Sequence, residues 1–330
     1  MEMIIEGIVN LNKPKNMTSH SCVQEIRKIV GTRRVGHIGT LDPQADGVLP
    51  VCIGGAARVS EYLDLDFKKY RCEMMLGLTT ETQDVWGETI RDVRDELERR
   101  ADITRDCVHE VFASFEGLIE QAPPMYSAVR VAGKRLYEYA RAGETVERKK
   151  RDVFIKDVSI RKINLVDYTI SFDITCSKGT YVRAVCSDVG EVLGCGGAMS
   201  SLTRLASGAF DIDSAISLEN FGQLDEEGIS SVIKPVDYPL VHFGSAVIPD
   251  ENAAARFVNG GYIASSEASF ESEPIYAEAA PPFPIREEFK RAYKVYAARN
   301  GTSTFLGVAF CDENHEKFKA DKVFFRGSAG

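Results

Sequence analysis

The clearest pattern along the chain is a two-residue alternation. Tyr70, Cys72, Met74 and Leu76 are separated by Arg71, Glu73 and Met75, which predicts a strand with one buried face. Ile170, Phe172, Ile174 and Cys176 repeat the pattern and predict a second strand, ending at the Ser177-Lys178-Gly179 turn. A helical period appears elsewhere. Residues 104–115 place Val108, Val111, Phe112 and Phe115 on one face behind Thr104 as N-cap. Val182, Val185, Cys186, Val189 and Leu193 form a second apolar stripe, stopped by Gly194. Ser21-x-x-Gln24 resembles a capping box that opens a helix through Val23, Ile26 and Val30 to Gly31. Ile4–Asn10 reads as a strand before a Lys13-Pro14 turn, and Ala56–Leu65 as a helix. Between them, residues 31–58 hold eight glycines and prolines and read as a long constrained loop. Strands and helices interleave without the regular period of a doubly wound sheet, which predicts an α+β fold, and no internal repeat is visible.

The character changes near Lys234-Pro235-Val236-Asp237-Tyr238-Pro239. Beyond it, short strands are predicted at Tyr293–Ala298, Thr304–Phe310 and Lys322–Arg326, the pattern of a small, mostly β domain. Residues 265–288 are polar, acidic and proline-rich and read as a mobile insertion. The 330 residues then divide into a domain over 1–235 and a smaller one over 236–330. With 44% hydrophobic and 27% charged residues, disorder and fibrous structure are excluded. No apolar run is long enough to span a membrane, and the start MEMIIEGIVNLNKP lacks the features of a signal peptide, so a cytoplasmic protein is expected. Eight cysteines lie scattered without a C-x-x-C pair and read as reduced core residues; the five histidines are too far apart for local metal pairs. Forty basic against 49 acidic side chains leave a charge of −9, an average that argues against a nucleic-acid partner.

One segment contradicts that average. Residues 36–50 read Gly-His-Ile-Gly-Thr-Leu-Asp-Pro-Gln-Ala-Asp-Gly-Val-Leu-Pro, a rigid loop with one carboxylate at its apex. Pro43 fixes its own φ and biases Asp42 toward extended backbone. Alone, an Asp-Pro pair is most often a structural turn. Here the segment resembles the signature of the TruB-type tRNA pseudouridine synthases. Asn12-Lys13-Pro14 with Met17-Thr18-Ser19 is similar to that family's first motif, and Lys69-Tyr70 to its tyrosine block. Ser177-Lys178-Gly179-Thr180-Tyr181-Val182-Arg183 resembles its third block, with Leu193-Gly194 and Leu202-x-Arg204 following at the expected distance. The C-terminal region more loosely resembles the PUA domain these enzymes carry.

The resemblance implies a catalytic core with a mixed, largely antiparallel central sheet flanked by helices, interrupted by a thumb insertion at about 123–151 and followed by a PUA-like RNA-binding domain. It implies an isomerase that detaches uracil from C1′, turns it and reattaches it through C5, with no cofactor and no metal. Asp42 is implied as the nucleophile or charge stabiliser; attack on C1′, attack on the base and a glycal route all remain open at this level. Arg183 is the fixed cation implied to orient Asp42. Tyr70 is implied to stack on the flipped uracil near C5, with Tyr181 and Leu202 as pocket walls. Asp84 resembles an acidic block that helps order the arginine, and Lys13 is a supporting residue of the first motif. His37 is implied to fill the space left by the extruded base, where stacking is worth about 1–3 kcal/mol.

The thumb segment interleaves aromatic side chains with Arg130, Lys134, Arg135, Arg141, Arg148, Lys149, Lys150 and Arg151. Against three glutamates these eight give residues 125–151 a local charge of +5, and residues 1–36 carry +3. The acidic excess lies instead at 81–120 and 211–231, so the −9 is no obstacle to RNA. The implied substrate is the tRNA T-arm, gripped by backbone shape and modified at the T-loop uridine, position 55. A monomer without obligate protein partner is expected. Two other readings are a tRNA-folding chaperone with little catalysis and the catalytic subunit of a guide-RNA particle. Retention of Asp42, Tyr70 and Arg183 opposes the first, and the thumb opposes the second.

Overall fold

A computed structural model describes residues 5–99, 102–278, 282–299, 302–312, 314 and 316–325. The chain opens with β1 (Gly7–Lys13), α1 (Ser19–Val30), β2 (Val35–His37) and β3 (Asp46–Ile53), then β4 (Lys68–Leu76). There follow α2 (Arg105–Ala113), β5 (Gly117–Gln121), β6 (Arg151–Asn164), β7 (Thr169–Cys176), α3 (Val182–Val192) and β8 (Gly197–Ser207). Among the described residues these strands join an eleven-stranded sheet whose main path runs β1-β3-β8-β4-β7-β6-β5. Every pairing on that path is antiparallel except β3 with β8, a parallel pairing of two residues, Asp46 with Thr203 and Gly47 with Arg204. The sheet is therefore mixed and largely antiparallel.

Both alternating segments are strands. Tyr70, Cys72, Met74 and Leu76 face a core shared with Ile170, Phe172, Ile174 and Cys176, onto which α2 and α3 pack through Val108, Phe112, Val185 and Val189. Thr104 caps α2 as expected, accepting from the Cys107 amide. The helix after β1 starts two residues before Ser21: Thr18 is the N-cap and accepts from the Ser21 amide at 2.9 Å, while Gly31 closes the helix at φ 67°. Residues 31–58 are not a loop throughout. β3 runs through them, buried from Gly47 to Ile53, because a strand covered on both faces shows no alternation and Pro50 sits where it need not donate. The segment 54–65 is a kinked 3₁₀ helix rather than an α-helix. The first strand runs on to Lys13; Ile4, expected at its start, lies outside the described residues.

The C-terminal region forms a six-stranded sheet from β9 (Gly244–Ile248), β10 (Tyr262–Ala264), β11 (Ser269–Ser272), β12 (Ala292–Arg299), β13 (Thr302–Cys311) and β14 (Lys317–Val323), in the order β10-β14-β13-β12-β9-β11. A helix the strand pattern did not disclose, α4 (Glu251–Val258), covers one face through Ala253, Ala254 and Phe257. The last strand begins earlier than expected, and Arg326 lies outside the described residues. Of residues 265–288, expected as a loop, 279–281 lie outside the described residues; the described part contributes β11 on the sheet edge, and Phe283 packs edge-on against Phe67, just before β4, 5.4 Å between centroids. The two regions share one apolar cluster, in which Tyr62 and Leu65 of the 3₁₀ segment 54–65 meet Phe243, Phe289 and Phe324, which flank the C-terminal strands. Tyr62 also donates to Asp321 at 2.5 Å, and Lys322 pairs with Glu61. No helix among the described residues is long and apolar enough to cross a membrane.

Candidate active site

Asp42 occupies a turn between β2 and β3 that is held from three directions. From below, the ammonium of Lys13, at the end of β1 and fully buried, donates to the carbonyls of Met17 (2.6 Å), Pro14 (2.8 Å) and Pro43 (3.3 Å). Burial pushes that amine below its ordinary 10.5. From α1, the Ser19 hydroxyl both donates to the Leu41 carbonyl (3.0 Å) and accepts from the Leu41 amide (2.9 Å), pinning the residue before the carboxylate. From β8, Arg204, fully buried, donates to the carbonyls of Val48 (2.6 Å), Gly39 (3.0 Å) and Thr40 (3.5 Å). Gly47 permits this approach: at φ 102°, a Cβ there would lie 2.3 Å from the Arg204 carbonyl oxygen.

The carboxylate itself meets Arg183 on the first turn of α3. Nε donates to Oδ2 at 2.8 Å and Nη2 approaches Oδ1 at 3.4 Å. Nη1 donates to the Thr82 carbonyl (2.7 Å) and Nη2 also to the Tyr126 carbonyl (2.9 Å), so the guanidinium has no freedom to leave. The arginine side chain is 5% exposed and the aspartate 39% exposed. A carboxylate open to solvent is thus aimed by a buried cation behind it.

Asp84 does not touch the arginine. Its carboxylate accepts from the Thr82 hydroxyl (2.6 Å) and the Trp86 amide (3.2 Å), shaping the turn whose Thr82 carbonyl receives Arg183. Glu81, which the sequence left without a role, accepts from the Tyr126 hydroxyl at 3.2 Å. Two residues before Arg183, the backbone of Tyr181 is clamped by Gln121: the Tyr181 amide donates to Oε1 at 2.7 Å, and Nε2 donates to the Tyr181 carbonyl at 3.1 Å. The helix has no side-chain cap of its own, so Gln121, at the end of β5, takes that part.

Tyr70 and Leu202 form the floor with Leu41, each under a tenth exposed. Burial raises the Tyr70 phenol above its ordinary 10, with the Arg204 guanidinium pulling the other way, so the hydroxyl stays protonated at neutral pH. His37 lies half-buried on β2, and its Nδ1 is buried without a hydrogen-bond partner. Burial and the nearby Arg204 hold its imidazole below 6.5. Structure therefore brings Asp42, Arg183, Tyr70, Leu202 and Lys13 together and puts Asp84 one step back. Ser19, Arg204 and Gln121 were unassigned because they act on backbone atoms far away in sequence.

Beyond Tyr126, a short hairpin (Arg130–Val131 with Lys134–Arg135) leads into a helix over Leu136–Arg141. Lys134 lies over the Tyr139 ring, and both Arg135 and Arg141 over that of Tyr137. Arg130, Lys134, Arg135, Arg141, Lys149, Lys150 and Arg151 are exposed. Arg148 instead is half-buried and donates to the Pro123 carbonyl at 3.1 Å, fastening the base of the insertion.

Residues 27–182 match the family described as TruB family pseudouridylate synthase (N terminal domain), and residues 183–241 the tRNA pseudouridylate synthase B C-terminal domain. The tRNA pseudouridine synthase B of Alkaliphilus oremlandii is 44% identical over 262 residues, covering 79% of this chain and 84% of its own. That of Clostridium kluyveri is 39% identical over 320 residues, covering 97% and 100%. Among solved structures, a Cbf5-Nop10-Gar1 complex superposes with a TM-score of 0.71 at 24% identity, covering 97% of this chain and 85% of the matched one. That likeness is one of fold.

Proposed function

The chain belongs to the TruB family of pseudouridine synthases, and on that premise we propose that it isomerises the T-loop uridine of tRNA, position 55, with Asp42 as nucleophile. The observation that carries this reading is the Asp42–Arg183 pair, 2.8 Å apart, with the carboxylate open and the guanidinium spent on four acceptors. A carboxylate held in place by a fixed guanidinium needs no reorganisation when positive charge develops at C1′. The N1–C1′ bond breaks, the uracil turns within the pocket, C5 joins C1′ and releases the Asp42 carboxylate, the C5 proton leaves to solvent and N1 takes up a proton, so the product is an isomer of the substrate.

In this reading Tyr70, Tyr181 and Leu202 hold the uracil while it is detached, and His37 props the space it vacates. Lys13 and Asp84 support the Asp42 turn and the Thr82 carbonyl. The exposed cations of residues 123–151 grip the T-arm through its phosphates, with Arg148 fixing the insertion's base. The catalytic unit spans 1–235 and a PUA-like unit 236–330. The enzyme works in the cytoplasm as a monomer, without obligate protein partner or cofactor.

The test is tritium release from tRNA labelled at uracil C5. Wild type releases tritium; Asp42→Asn releases none while binding the same tRNA. Substantial turnover by Asp42→Asn sinks the assignment of the nucleophile.

A further inference from the structure

One cation beside the site has no role so far. Lys68 opens β4, two residues before Tyr70 and on the same face, and reaches Gly39 of the Asp42 loop. Its position is fixed by Gly39: a Cβ built there would lie 3.4 Å from Lys68 Cε, 3.5 Å from Lys68 Nζ and 3.4 Å from Arg204 Nη1. Two cationic heads therefore converge on one point of the loop, three residues from Asp42, where glycine at φ 74° leaves room.

Among the described residues Lys68 Nζ makes no hydrogen bond and no ion pair, and Arg204 bonds the carbonyls of Val48, Gly39 and Thr40 and lies against the Tyr70 phenol, with no carboxylate paired to it. The groups around Lys68 are Arg204 from β8, Cys176 from β7, Lys178 from the following turn, and Asp66. Lys178 is already paired with Asp64 at 2.6 Å. Cys176 is pushed up to about 11 by burial and is a neutral thiol at pH 7. Asp66 lies 3.5 Å from His242, and its effect on Lys68 is smaller than that of Arg204. Burial first and Arg204 second pull the Lys68 amine down to about 8. Charges drawn out of water are ordinarily paired.

We propose that Lys68 and Arg204 form an anion subsite that takes one backbone phosphodiester of the RNA beside the target uridine. The inference rests on the function proposed above. An extruded nucleotide turns about its own backbone, so its flanking phosphate must be fixed if the sugar is to stay against Asp42 while the base rotates. Arg204 supplies buried field and is committed to the loop; Lys68 is the movable partner that closes on the phosphate, as a compact ammonium on a flexible stem does.

The experiment compares wild type, Lys68→Met and Lys68→Arg with an unmodified T-arm hairpin, measuring binding against salt and tritium release. Lys68→Met is expected to raise KM about tenfold, with a smaller effect on kcat, because a charge-assisted hydrogen bond is lost. Its plot of log affinity against log salt should flatten by about 0.7, the value of one single-strand phosphate. Lys68→Arg should restore both. A wild-type slope and KM in Lys68→Met, with wild type turning over, overturn the subsite. A second arm uses the full chain with inorganic phosphate alone, following the Lys68 side chain by heteronuclear NMR with Lys68→Met as assignment control. Phosphate should raise the titration midpoint of Lys68; a midpoint that does not move overturns the subsite whatever the RNA result. Absence of tritium release by wild type counts against the function instead, and the phosphate arm then decides the subsite by itself.

Discussion

Replacing Gln121 with leucine isolates the part played by a residue that touches neither Asp42 nor Arg183. Gln121 is 3% exposed, and leucine keeps most of its volume. Two hydrogen bonds vanish, one accepting from the Tyr181 amide at 2.7 Å and one donating to the Tyr181 carbonyl at 3.1 Å. The carbonyl keeps its helical bond from the Val185 amide at 3.2 Å, so only the Tyr181 N–H is orphaned. An orphaned buried donor costs about 1–3 kcal/mol and a lost bond about 1 kcal/mol, so the variant should lose roughly 2–4 kcal/mol in urea unfolding. Arg183 follows two residues later, and a shift of about 1 Å in a positioned group costs on the order of 100-fold in rate. Tritium release should therefore show kcat falling about 100-fold, with tRNA affinity changed far less. Gln121→Glu accepts from the amide but cannot donate to the carbonyl at neutral pH, and its losses should fall between the two. Wild-type kcat in Gln121→Leu, with stability within about 0.5 kcal/mol of wild type, would refute the clamp.

Gly47→Ala forces a Cβ to 2.3 Å from the Arg204 carbonyl at a φ of 102°, and should lower stability by more than about 3 kcal/mol, read from the urea midpoint. Reversing charge at Arg135 and Lys149–Arg151 should weaken tRNA binding and flatten its salt dependence, whereas an unchanged slope removes the thumb from the interface. Asp173 takes two bonds from Arg71, at 2.8 and 3.0 Å, which hold its carboxyl below the ordinary 3.8. A depressed carboxyl stabilises the fold above its unfolded value and loses that contribution as pH falls through the folded one, so Asp173→Asn should show a shallower decline in stability below pH ~4.

Legibility followed the range over which each signal acts. β4, β7, α2 and α3 were readable because each buries one face, and the resulting period of two or 3.6 is local. β3 hid because Val48–Ile53 is buried on both faces and contains Pro50. α4 hid because its buried face consists largely of Ala253 and Ala254, which carry little hydrophobic contrast. At the site, Asp42 and Arg183 were found through their motifs, and the structure places them in contact. Gln121 left no such trace, and Ser19 stood in a motif without a role, since each bonds a backbone group, and backbone groups are identical at every position. Arg204 was visible as part of a motif, but that its side chain bridges to residues 39–48, more than 150 positions earlier, is a property of topology alone.

That bridge has a consequence for synthesis. Lys13 and Ser19 leave the ribosome nearly two hundred residues before Arg204, yet all three must meet before the Asp42 turn has its shape. A nascent chain that has already made its basic insertion still lacks β8, and with it the two-residue seam that seats the turn. Such a fragment carries the exposed cations but not the seated Asp42 turn. On the function proposed above, a translation product interrupted before β8 is therefore inert toward uridine.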